Sequence, residues 1–243
     1  MVNPRAWIAE AIGTFSLIFF GTLSITLAAV AFGGTDNIAA LVMISLAHAS
    51  IVGIMVYTFG HISGAHINPA VTIPQVLTKK LNLKDGIGYI SFQIIGAIIG
   101  ALAHKAILPQ GIEVHFGTQT GPSQLLNFNP ISGTIVELIF TFFLVTVIFM
   151  AAIHKKAISS LDGISIGGII FLLHLVGIPL TGASINPART FGPALVSGFW
   201  DYHWIYWIGP IMGGIIAGVM MNYIFFRKED RAVGEEAEEL QDK

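Results

Sequence analysis

Residues 61–72 read HISGAHINPAVT, and residues 179–190 read PLTGASINPART. Superposed, Gly64 and Gly182, Ala65 and Ala183, Ile67 and Ile185, Asn68 and Asn186, Pro69 and Pro187, Ala70 and Ala188, and Thr72 and Thr190 coincide, while Ser63 and Thr181 exchange one hydroxyl for another. A match of this length within one chain marks a duplication. Asn is a strong helix N-cap, and the Pro after it has the φ of a first helical residue and lacks an N–H that would be unsatisfied there. Each copy therefore reads as a helix start, preceded by a Gly-containing loop suited to a tight backbone excursion.

The 243-residue chain is 54% hydrophobic and only 11% charged, about half the usual charged fraction. So few charges could not solvate a water-soluble domain. A net charge of −2 offers no basic face, so nucleic acid is not expected as a partner. The chain has no Cys, which excludes disulfides, thiolate metal sites and thiol catalysis. The apolar run that starts at Ala6 is longer than a secretory signal core and is read as a retained membrane span.

Six apolar runs approach the roughly 20 helical residues that cross a hydrocarbon core: residues 6–32, 38–59, 86–108, 131–153, 163–177 and 204–226. The fifth continues apolar to Leu180. Residues 68–77 and 186–196 are apolar but too short to span. Ten helical residues measure about 15 Å, half of the roughly 30 Å core, so two such pieces tip to tip would cross it together. Short, Gly/Pro-interrupted segments at matching places in two halves point to a midplane site between inverted repeats. Three spans fall in each half, and an odd number makes the second half run the opposite way. The expected organisation is an all-α membrane protein: one transmembrane channel domain over residues 1–228, with repeats at about 6–108 and 131–226, and an acidic, solvated cytoplasmic tail at 229–243.

Charge placement agrees with this topology. Arg5, Lys79, Lys80, Lys84, Lys155, Lys156, Arg227 and Lys228 fall on one side of six spans, whereas the opposite loops (33–37, 109–130 and 178–203) contain only Arg189 among Lys and Arg, and Lys105 lies near the outer end of the third span. The positive-inside rule then places both termini in the cytoplasm. Gly96/Gly100, Gly209/Gly213 and Gly214/Gly218 give the third and sixth spans faces for close helix contact.

Polar groups inside a membrane are costly and need an account. Asn68 and Asn186 could act as caps alone. If the short helices meet at the midplane, each cap uses the side-chain oxygen and leaves the NH₂ to donate into the space between, and the duplication favours this pore reading. Each short helix would also aim about +0.5 charge at the centre. A cation about 4 Å from one such pole meets roughly 2 kcal/mol of repulsion at an effective dielectric near 20, and roughly 4 kcal/mol from two, while neutral molecules feel no such net force. Arg189 is a carbonyl-satisfying strut or an added barrier to protons and cations. His48 and His174 are by default satisfied core histidines. Glu10 and Glu137 open corresponding spans; they either accept hydrogen bonds from the non-helical loops or relay protons in a transporter.

The two Asn-Pro-Ala boxes, residues 60–70 and 186–194 and the six spans resemble the aquaporin (major intrinsic protein) family over nearly the whole chain, and some archaeal members look similar. The resemblance implies a right-handed bundle of six helices plus two re-entrant half-helices. It also implies a pore in each monomer and a homotetramer in the cell membrane. The pore motifs would be Asn68, Pro69, Ala70 and Asn186, Pro187, Ala188. The family's aromatic/arginine selectivity filter maps onto His48, His174, Ala183 and Arg189. His48 departs from the Phe usual in water channels and the Trp usual in glycerol channels. Thr190, Ala194 and the Tyr206–Trp207 pair stand as in water-type members.

The expected function is a passive channel that conducts water in single file through the lipid bilayer and excludes protons and ions, with no enzyme activity and no metal or other cofactor. The alternatives are a facilitator of glycerol or another small neutral solute (ammonia, hydrogen peroxide) and a proton-coupled transporter using Glu10 and Glu137. An intramembrane hydrolase is not expected, given no Cys, no His-Glu-x-x-His pair and no Gly-x-Ser-x-Gly elbow. Protonation of either histidine would add positive charge, so permeability is expected to respond to acidic pH. With Ala183 at the constriction and no Cys, mercurials should leave the water permeability of reconstituted vesicles unchanged, as stopped-flow light scattering with and without mercuric chloride would read directly.

Overall fold

The computed structural model describes residues 3–226. The expected acidic tail at 229–243, and Arg227 and Lys228 of the basic side, lie outside the described residues. Among the described residues six helices are long and apolar enough to cross a membrane: α1 (Pro4–Phe32), α2 (Ile38–Ser63), α4 (Leu83–Ile107), α5 (Pro130–Ile148, continued as a π-turn to Ile153), α6 (Asp162–Thr181) and α8 (Ile205–Met220, with a π-turn over Met221–Phe225). Two short helices, α3 (Pro69–Leu77) and α7 (Pro187–Ser197), occupy the places assigned to the half-helices.

Asparagine starts most of these helices. Asn3, Asn37, Asn68, Asn82, Asn129 and Asn186 each accept a backbone N–H of the first turn, and every Asn-Pro pair in the chain opens a helix. Helix ends were harder to read. α2 and α6 run past the apolar limits expected at residues 59 and 177, and both stop at a left-handed glycine, Gly64 or Gly182. The terminator is the backbone conformation of that glycine rather than a loss of apolarity.

The first and third spans of each half pack together, α1 on α4 and α5 on α8, and α2 packs on α6 between the halves. Each half-helix then packs on the third span of the other half, α3 on α8 and α7 on α4. Small residues permit these approaches. A Cβ on Gly96 would strike the carbonyl of Ala11, and one on Gly213 that of Leu138, at matching places of α4 and α8. Gly192 of α7 meets Ala97 O in the same manner, and Gly214 of α8 meets Ala70 O. A Gly-x-Ser-x-Gly string is in fact present at 163–167, contrary to the sequence reading. It lies inside the continuous helix α6, where Gly163 and Gly167 close against the backbone of Gly53 and Ala49, so it is a packing face and not a strand–helix elbow.

A methyl at Gly209 would sit 2.7 Å from Thr134 O and 2.8 Å from Glu137 Cβ, whereas one at Gly168 meets nothing within 4 Å. Gly209→Ala should therefore lower stability by about 1–3 kcal/mol, and Gly168→Ala should be neutral or slightly stabilising. The melting midpoint of detergent-solubilised protein, followed by tryptophan fluorescence, separates the two.

Candidate functional site

The tips of α3 and α7 meet at the centre of the molecule. Asn68 Oδ1 accepts the N–H of Ala70 at 2.8 Å, and Asn186 Oδ1 accepts those of Ala188 and Arg189 at 3.0 and 3.3 Å. Each amide nitrogen then reaches across: Asn68 Nδ2 donates to Ile185 O at 2.8 Å, and Asn186 Nδ2 donates to Ile67 O at 2.9 Å. The sequence reading left both hydrogens of each NH₂ open, and this reciprocal bond corrects it. One hydrogen per asparagine locks the tips together, and one remains to donate into the cavity that both residues line.

The loops that deliver these tips are held in an unusual backbone. Ala65 and Ile67 have φ of 47° and 55°, and Ala183 and Ile185 both have 47°. A β-branched residue in the left-handed region is a strained outlier, and here it occurs in both copies. A buried carboxylate fixes each loop. Glu10 accepts from Ser63 Oγ (2.6 Å), His66 N (2.9 Å), Ile67 N (2.6 Å) and Gln93 Nε2 (2.7 Å). Glu137 accepts from Thr181 Oγ1 (2.7 Å), Ser184 N (3.0 Å) and Ile185 N (2.7 Å). The carbonyls of Ser63 and Thr181 are in turn held by Tyr89 and Tyr206 hydroxyls at 2.9 and 2.6 Å. Both carboxylates are fully buried and lie outside the linings of the two cavities, with their oxygens engaged by loop and side-chain donors.

Three of the four residues mapped to the constriction converge. The His48 and His174 rings lie 4.6 Å apart, centroid to centroid, and Arg189 Nη2 stands 3.3 Å from His48 Nε2. Gly21 makes the room, since a Cβ there would be 2.7 Å from His48 Nε2. The bonding dictates tautomers. Nδ1 of His48 and of His174 faces a carbonyl, Ile44 O at 2.9 Å or Ile170 O at 3.0 Å, and must donate. His48 Nε2 is then the acceptor for Arg189, which can only donate, so His48 is bonded as a neutral imidazole, while His174 Nε2 has no protein partner among the described residues.

Ala183 does not join this ring through its side chain. Its left-handed backbone turns the methyl toward α6, into space left by Gly177, and it is fully buried, while its neighbours Gly182 and Ser184 line the cavities. His66 and Ser184 were also missed as lining residues. They occupy the same position of the two copies, where the repeats differ, and that difference was the available signal.

One cavity runs from Gly60, Ile153 and Asp162, past Asn68 and Asn186, to His48, His174 and Arg189. Much of its remaining wall is apolar, including Val52, Val56, Val71, Leu144, Ile148 and Ile166, with His66, Gln75 and Ser184 as polar members. A second cavity opens on the opposite side, and Arg189 lines both. The loop between α4 and α5 folds into this outer mouth, which its sequence did not announce. Gly117 O accepts from Arg189 Nη1, Gln119 Oε1 accepts from Thr190 Oγ1 at 2.8 Å, and Gly121 N donates to Tyr206 Oη at 2.8 Å.

A glutamine at position 10 or 137 would replace one acceptor oxygen with an NH₂ facing a loop N–H. Glu10→Gln and Glu137→Gln should each cost about 3 kcal/mol or more, since hydrogen bonds to a charged group contribute about 1.5–3 kcal/mol each. A markedly lower melting midpoint is expected for both; an unchanged midpoint would show that the clamps are dispensable.

The major intrinsic protein family profile matches residues 1–221. Aquaporin-4 of Rattus norvegicus is 39% identical over 222 residues, covering 90% of this chain and 68% of that protein. Aquaporin TIP4-4 of Zea mays is 35% identical over 226 residues, covering 91% and 86%. The X-ray structure of the aquaglyceroporin from Plasmodium falciparum superposes with a TM-score of 0.79 at 22% identity, covering 91% of this chain and 96% of that one, a likeness of fold. The duplicated Asn-Pro-Ala loops, the six spans and these matches agree, and the chain belongs to the major intrinsic protein (aquaporin) family.

Proposed function

We infer that this multi-pass membrane protein is a passive water channel. The observation that carries the reading is the single cavity that passes both asparagine amides and ends at Arg189, where the outer cavity begins. A water between the tips would accept from Asn68 and Asn186 at once and would have to turn its own hydrogens outward along the path. The largely apolar remainder of the wall offers few competing partners, which keeps the file weakly held. Cations meet the positive ends of α3 and α7 at the centre and the guanidinium of Arg189 at the constriction.

In this proposal the pore motifs are Asn68, Pro69, Ala70, Asn186, Pro187 and Ala188, the filter is His48, His174, Arg189 and Ala183, the last through its backbone rather than its methyl, and Glu10 and Glu137 support the loops. A ring of two imidazoles and one guanidinium gives the CH groups of glycerol little apolar wall, which favours water over glycerol. The unpartnered Nε2 of His174 supports a second reading, passage of small neutral hydrogen-bonding solutes such as ammonia or hydrogen peroxide. The distribution of lysines and arginines supports cytoplasmic termini; the membrane we propose is the plasma membrane. Because the path lies within one chain, assembly into a homotetramer would multiply pores rather than create them.

Reconstituted vesicles should shrink far faster than empty ones in a sorbitol gradient, with no added glycerol influx and no added proton leak. Arg189→Ser should raise glycerol passage relative to water. Shrinkage no faster than in empty vesicles would overturn the reading, and wild-type glycerol influx comparable to that of water would replace it with a glycerol facilitator.

A further inference from the structure

His104, near the outer end of α4, is fully buried, and neither cavity reaches it. Its ring is bonded at both nitrogens, Nδ1 to Thr22 Oγ1 at 2.8 Å and Nε2 to Thr26 Oγ1 at 3.1 Å. Thr22 spends its own hydrogen on Ile18 O at 2.7 Å, so Nδ1 of His104 donates to it and Nε2 accepts from Thr26. The imidazole thus has one orientation, pinned between α4 and α1.

That orientation supports a turn of the outer loop. Phe116 sits edge-on to the His104 ring, with centroids 5.3 Å apart at 87°, and is 1% exposed. His115, Phe116 and Gly117 are consecutive left-handed residues with φ of 49°, 48° and 76°, a run that bulky side chains adopt only when their surroundings impose it. The slot for Phe116 is closed on one side by Gly111, where a Cβ would lie 2.6 Å from Phe116 Cδ1 and 2.8 Å from His104 Nε2. Gly117 presses on α1 at the same Thr22 that His104 holds, since a Cβ there would be 2.9 Å from Thr22 Cβ. The carbonyl of Gly117 is the acceptor for Arg189 Nη1.

We propose that His104 is a positioning residue for the constriction: by fixing Phe116 and Thr22 it holds the Gly117 carbonyl where it tethers the Arg189 guanidinium. The inference rests on the assignment of Arg189 to the filter. Its role is to set the solute cutoff without touching the permeant.

The test is a double-mutant cycle on the ratio of glycerol to water permeability in reconstituted vesicles, using His104→Leu, Arg189→Ser and the pair, with Gly88→Ala, whose Cβ would strike the Trp7 ring at the N-terminal ends of α1 and α4, as a variant destabilised away from the constriction. His104→Leu should raise the ratio about three-fold or more in the wild-type background and leave it unchanged in the Arg189→Ser background. Gly88→Ala should not move the ratio, since lost stability alone lowers the number of working channels and not their selectivity. Phe116→Ala removes the same support without touching α4 and should act like His104→Leu, which keeps the inference testable if the latter does not fold. If Arg189→Ser alone leaves the ratio unchanged, the filter assignment fails. If Arg189→Ser raises it while His104→Leu and Phe116→Ala do not, or if His104→Leu acts equally in both backgrounds, the role of His104 fails.

Discussion

The architecture depends on two buried carboxylates holding two strained loops. Each loop places two non-glycine residues in the left-handed region, at about 1–2 kcal/mol apiece, and exposes N–H groups that membrane interior would leave unsatisfied. Glu10 and Glu137 answer with four and three accepted hydrogen bonds, at about 1.5–3 kcal/mol each for a charged acceptor. These bonds offset the strain, and the loops hold a shape that no local preference would select. That shape turns the chain back on itself at mid-depth and sets Asn68 and Asn186 tip to tip.

The pseudo-twofold relation supplies the framework, and departures from it supply the specific features. The tyrosines, the glutamates, the glycine contacts and the reciprocal asparagine bonds come in pairs. Gln93, which gives Glu10 its fourth donor, has no counterpart on Glu137. His66 faces Ser184 across the repeat, and Val71 stands where the second copy has Arg189. A symmetric pore would carry that guanidinium at both ends or at neither. Here it lies at one end only, where the loop after α4 folds in to meet it.

Much of this was legible in the sequence because it depends on residue types with strong local rules. Asn-Pro marks a helix start wherever it occurs, and run length against membrane thickness identifies spans and half-helices alike. The positions of Glu10 and Glu137 within their repeats suggested a partner in the loops before any coordinate did. What stayed hidden depends on conformation or on distant contacts. The direction of the Ala183 methyl follows from its φ and from the gap at Gly177, and neither has a sequence signature. The inward fold of residues 109–129 rests on the burial of Phe116 beside His104 and on single bonds to Arg189, Thr190 and Tyr206, all from residues that read as ordinary loop. The Gly-x-Ser-x-Gly string at 163–167 shows the converse, a motif whose meaning vanishes once its helical context is known.

The central claim is that the facing asparagines border a continuous file of water. An experimental density map of the protein in lipid, at a resolution that shows ordered water, tests it most directly. The account predicts a water within hydrogen-bonding distance, about 3 Å, of both Asn68 Nδ2 and Asn186 Nδ2, flanked by further waters toward Arg189 on one side and Asp162 on the other. Tips drawn apart, or a dry junction packed with side chains, would contradict it.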